Sequence, residues 1–118
     1  MKYVLLVYGE EKDLHALTPE GMAKLDAESL AHDRSLDQQG KLIIAQALQS
    51  VRTSKSVRQR KGKRLVTDGP FAETKEQLLG FVMVEAKDLD EALAIAGEIP
   101  LAELGTIEVR AVYDVPGS

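Results

Sequence analysis

The chain has 118 residues, 44% of them hydrophobic and 29% charged, with a formal net charge of −4. That length suits one domain, and the composition excludes collagen-like, low-complexity and wholly disordered chains. It contains no cysteine, which excludes disulfides, zinc-thiolate sites and a cysteine nucleophile, and only two histidines, His15 and His32.

Lys2–Tyr8 (KYVLLVY) is β-rich and apolar and ends at Gly9, so it reads as a buried strand. Residues 9–17 read as polar and irregular. Thr18-Pro19-Glu20 is a helix start, with a capping hydroxyl and Pro at the first helical position. The helix should run to about Gln39 and stop at Gly40, a suitable residue just past a helix end. Its inward stripe is Met22, Leu25, Ser29, His32 and Leu36, apolar except at two positions. Leu42–Leu48 reads as a second buried strand.

Residues 52–64 (RTSKSVRQRKGKR) hold seven of the fifteen Lys and Arg and no Asp or Glu. The other eight basic and nineteen acidic residues leave −11 on the rest of the chain. Val51–Gln59 and Lys63–Thr67 alternate loosely around Lys61-Gly62, which predicts a hairpin. Asp68-Gly69-Pro70 is turn chemistry, and the Thr74-x-x-Gln77 spacing predicts one short helical turn. Leu78–Ala86 is a third buried strand. Asp88 caps a second helix, with Glu91 placed to reach back, Leu89, Ala92, Leu93 and Ala96 on one face, and Pro100 as its end. Thr106–Tyr113 alternates as the last strand, and Val115–Ser118 reads as a tail.

Without residues 51–67 this order is the βαββαβ pattern of a ferredoxin-like α+β fold, with the basic hairpin as an insertion. Both helices should cover one sheet face. Strands apolar on both faces need a cover on the other, which predicts a homodimer through the sheets.

Val66–Leu78 (VTDGPFAETKEQL) resembles the signature of DGPF-domain proteins, a branch of the YCII-related family. KYVLLVYGE at the start, Asp88–Leu93 and Gly105–Arg110 match in the same order, so the resemblance spans nearly the whole chain. It implies a ferredoxin-like fold of the dimeric α+β barrel type in a small bacterial cytoplasmic protein, often encoded beside an extracytoplasmic-function sigma factor. It also implies a His and an Asp as a catalytic pair. His32 stands where that His is expected, whereas the place of the Asp, just before the Pro after the second helix, holds Ile99. Leu79 and Ala111 stand where members commonly have Gly and Pro.

The candidate site is the turn from Asp68 to Glu76 together with His32. His32 would carry a proton and Asp68 and Glu73 would orient or accept it. Lys75, Glu76 and Phe71 would hold a small polar ligand. The chemistry would be isomerisation or elimination, with neither metal nor cofactor. Each feature has a plainer reading. Asp68 caps a turn while Phe71 plugs the core, and His32 is a hydrogen-bonded core histidine. His15 reads as a loop residue. The alternative function is a non-catalytic binding or regulatory homodimer tied to sigma-factor signalling.

The basic hairpin suggests nucleic acid, but it has no interleaved aromatics, aromatics are only 4% of the chain, and the body is acidic. It reads instead as a solvated ribbon, or as one that packs across the dimer on acidic surface of the partner. No apolar run approaches the roughly eighteen residues of a membrane span. The opening apolar run is too short for a signal peptide, so the expected location is the cytoplasm.

Overall fold

The computed structural model describes residues 1–118. Its elements are β1 (Lys2–Gly9), α1 (Glu11–His15), α2 (Pro19–Gln38), β2 (Leu42–Ala47), β3 (Lys55–Arg60), β4 (Lys63–Asp68), β5 (Gln77–Glu85), α3 (Leu89–Gly97) and β6 (Thr106–Ala111). Short 3-10 turns cover Val51–Thr53 and Pro100–Glu103. One antiparallel sheet has the order β2-β5-β1-β6, and β3 and β4 form a separate two-stranded ribbon. This is the expected ferredoxin-like α+β fold with an inserted hairpin.

The strand register decides what is buried. Tyr3 pairs with Val84 and Leu5 with Val82, and all four are buried on one face. Leu36 of α2 and Ala92, Ile95, Ala96 and Ile99 in and after α3 close the same cluster, so both helices lie on that face. The alternate residues Val4, Leu6, Phe81 and Met83 point to the other face, beside Ile44 of β2. They remain partly exposed, and no helix packs on them.

Local chemistry sets the ends of α2. The Thr18 hydroxyl accepts from the Gly21 amide at 3.0 Å, with Pro19 next in line. At the far end Gly40 has φ +72°, the Lys41 amide donates to the Leu36 carbonyl at 2.9 Å, and the Gly40 amide donates to the Asp37 carbonyl at 3.0 Å. This is a Schellman cap, and it satisfies carbonyls that the helix end would orphan. Of the expected stripe only Leu36 is buried; Leu25, Ser29 and His32 are intermediate and Met22 is exposed. Polar residues at 29 and 32 leave the middle of α2 standing off the sheet.

Five local expectations need correction. β2, expected as a buried strand, is an edge strand with no buried residue. Residues 11–15 are helical, because long-range bonds hold them. The Glu11 carboxylate accepts from the Val51 amide and the Ser50 hydroxyl, each at 2.8 Å, and the Glu11 amide donates to Gln77 Oε1 at 3.2 Å. Thr74–Gln77 forms no helical turn. The Gln77 side chain instead donates to the Thr74 carbonyl at 2.6 Å, and Gln77 opens β5. The buried face of α3 is Ala92, Ile95 and Ala96, leaving Leu89 and Leu93 exposed. Two overlapping i, i+3, i+4 sets share Ala92 and Ala96, and the set with Ile95 and then Ile99 meets the sheet. Phe71 is 81% exposed and plugs nothing.

Two backbone features shape the region under α2. Val7 pairs with Gly80 but Tyr8 pairs with Leu78, so Leu79 is the extra residue of a bulge. A Cβ at Gly80 would lie 2.6 Å from the Gln46 carbonyl oxygen, so glycine permits the close approach of β2. The ribbon turns at Lys61 (φ +49°) and Gly62 (φ +74°), the paired positive φ of a type I′ turn.

Candidate functional site

A cavity of about 450 Å³ lies between α2, the sheet and the segment Ile99–Leu101. Its floor is the Leu79 bulge, Gly80 and Val82 of β5, with Val7 of β1 and Ala45 and Ala47 of β2. Its polar residues come mainly from α2: Asp26, Ser29, His32 and Asp33, with Gln46 from β2. Positions 26, 29, 30 and 33 recur at helical spacing and so share a face. His32 lines the same cavity although it precedes Asp33 by about 100° of helix rotation.

The imidazole carries the main anomaly. His32 Nε2 is buried and has no hydrogen-bond partner. Leaving such an atom unpaired costs about 1–3 kcal/mol, so a folded protein that does so keeps a place for a partner. Beside it, burial raises the Asp33 carboxyl above its ordinary value, and the His32 imidazole offsets part of that rise. No Lys or Arg lines the cavity.

Of the residues expected to form the site, the cavity contains His32 alone. Asp68 ends β4, with its side chain 87% exposed and paired to Lys55 of the ribbon. Phe71, Glu73 and Lys75 are exposed, and Glu76 is partly so. The structure therefore does not bring Asp68, Glu73 or Glu76 to His32. Ile99 is buried at the cavity wall, at the position where the resemblance placed an aspartate.

The signature turn does its local work elsewhere. Gly69 has φ +88°, its amide donates to the Ser54 carbonyl at 2.8 Å, and its carbonyl accepts from the Ser56 hydroxyl at 2.8 Å. Those bonds close the base of the ribbon. Lys75 approaches Glu10 at 3.6 Å, and Lys12 reaches the same carboxylate at 3.1 Å. Lys12, by hydrogen bond and by charge, and Lys75 hold the Glu10 carboxyl below its ordinary range. Glu10, Glu11, Lys12, Lys75 and Gln77 line a separate polar cleft of about 280 Å³. The turn thus anchors α1 and the ribbon to the sheet.

Sequence reasoning missed Asp26 and Asp33 as cavity residues. The signal was present in their spacing with Ser29 on α2, but reading it required knowing that α2 stands off the sheet. No three His, Cys, Asp or Glu side chains converge as metal ligands. No helix is long and apolar enough to cross a membrane.

The model of the YCII-related domain matches residues 1–116. An uncharacterized protein of Rhizobium meliloti (strain 1021) is 37% identical over 112 residues, which cover 93% of this chain and 90% of that protein. The match runs through β1, α2, the ribbon, the signature turn and β6 alike, and with the ferredoxin-like topology it settles the grouping: the chain belongs to the YCII-related family.

Proposed function

We propose that the cavity under α2 binds a small molecule and that His32 moves a proton on it. The observation that carries this reading is the buried, unpartnered Nε2 of His32, a residue that lines a cavity with apolar walls. The imidazole would take a proton from one atom of the bound molecule and return it to another, as in an isomerisation. In an elimination it would keep the proton while the leaving group departs with its electron pair. Asp33 replaces Asp68 and Glu73 as the carboxylate of the mechanism, because it shares the cavity and its carboxyl feels the neighbouring imidazole. Ligand contacts pass likewise from Phe71, Lys75 and Glu76 to the cavity wall.

The test is solvent-deuterium exchange into a panel of small carbonyl compounds, followed by NMR. Wild type should incorporate deuterium at an acidic carbon, and His32→Asn should bind the same compound with exchange slowed about 100-fold or more. Equal exchange by both proteins would overturn the reading.

A second reading is a binding protein without chemistry. It is favoured by the cavity lining, which contains none of the signature carboxylates and gives His32 those of α2 alone. Ligand binding without exchange in wild type would support it. In either case we propose a homodimer through the open sheet face, whose Val4, Leu6, Ile44, Phe81 and Met83 lack a cover.

A further inference from the structure

The ribbon β3–β4 stands apart from the body. Its two strands pair only with each other, and every residue of β4 is exposed. The radius of gyration is 16.2 Å, against roughly 13–14 Å for a compact chain of this length. A lone two-stranded hairpin is marginal in water. This one adds two further costs. Val57 and Val66 form a cross-strand pair that is 62% and 53% exposed, and Leu65 is exposed on the opposite side. Arg60 faces Lys63 across the ladder, a like-charge pair. Of the seven cations in residues 52–64, only Lys55 has an ion-pair partner.

The body carries the counterpart. Residues 88–103 hold five acidic residues and no Lys or Arg. Asp90, Glu98 and Glu103 are exposed without an ion-pair partner, while Glu91 reaches Lys41 at 3.7 Å. In α3 itself, Leu89 and Leu93 are 51% and 49% exposed, one helical turn apart. The ribbon face that carries exposed Leu65 among Arg58, Arg60 and Lys63 matches an acidic helix with exposed leucines in both charge and apolar character.

We propose that the ribbon of one copy docks on the α3 surface of a second copy. Leu65 packs on Leu89 and Leu93, and Arg58, Arg60 and Lys63, which share its face of the ribbon, meet Asp90, Glu98 and Glu103. This rests on self-association, as the sheet-face dimer does, but on a different surface. It also gives the insertion a role that nucleic acid would otherwise claim.

Two arms of one experiment test it. The Gly69 amide already bonds the Ser54 carbonyl, so residues 55–68 can be replaced by Asn-Gly without moving the base. Sedimentation equilibrium should show self-association of this variant weakened about tenfold or more, and that of wild type weakened by added salt. The chain has no cysteine, so Val57→Cys accepts a single spin label. Mixed with isotope-labelled, spin-free protein, it should broaden the Leu89 and Leu93 amides of the other copy. Adding Arg58→Glu, Arg60→Glu and Lys63→Glu should abolish that broadening. A wild-type monomer overturns this proposal and the sheet dimer together. A dimer of unchanged affinity after ribbon removal overturns this proposal alone. So does ribbon-dependent binding of a DNA oligonucleotide at low salt with no broadening between copies.

Discussion

The Glu11 carboxylate accepts the Val51 amide hydrogen at 2.8 Å, joining the first turn of α1 to the root of the basic ribbon. The Val51 amide, and then the Ser50 hydroxyl, hold the Glu11 carboxyl below its ordinary value of 4.5. A carboxyl with a lowered folded-state pKa stabilises the fold above its unfolded pKa. That stability is lost as pH falls through the folded value. Glu11→Gln should therefore cost about 1 kcal/mol at pH 7, or roughly 3–6 °C in Tm. Thermal melts at falling pH should show the difference from wild type shrinking as the wild-type carboxylate is protonated.

The opposite sign is expected at Asp33. Burial raises its carboxyl, so the folded state binds more protons than the unfolded state between the two pKa values, and stability falls as pH rises through that interval. Asp33→Asn should raise Tm modestly at pH 7 and leave it unchanged at pH 3. Differential scanning calorimetry at both values checks the sign. A lower Tm at pH 7 would show that attraction to His32 outweighs the cost of burial.

Leu5 and Phe71 should separate core from signature. Leu5 is fully buried at the centre of the sheet, so Leu5→Ala should cost about 2–5 kcal/mol. Phe71→Ala removes a larger side chain that touches little, and should change stability by less than about 0.5 kcal/mol. Urea denaturation of both variants is sufficient. A large loss at Phe71 would mean that another molecule covers it.

Gly80 offers a test of the cavity floor. With its added methyl 2.6 Å from the Gln46 carbonyl oxygen, Gly80→Ala must push β2 away from β5, at about 1–3 kcal/mol. Amide exchange should show β2 losing protection first, with β1 and β6 little affected.

Much of this fold was legible because its signals are local. The Thr18-Pro19 start and Gly40 stop of α2, the Lys61-Gly62 turn and the apolar runs of β1, β2 and β5 each specify their own geometry. What the sequence hid depends on distant partners. α1 forms because Ser50, Val51 and Gln77 bind Glu11, and Thr74–Gln77 stays non-helical because Gln77 joins β5. His32 stood out as a break in an apolar stripe. The separation of the signature turn from His32 did not, since it follows from the path of the ribbon between them.

Residue-resolved NMR mapping of a fragment library tests most directly whether the site is the α2 cavity. A site in that cavity gives chemical-shift changes centred on His32, Asp33, Gly80 and Leu101, with residues 68–76 unmoved. Changes confined to Asp68–Glu76, with the His32 imidazole and its neighbours silent, would contradict it.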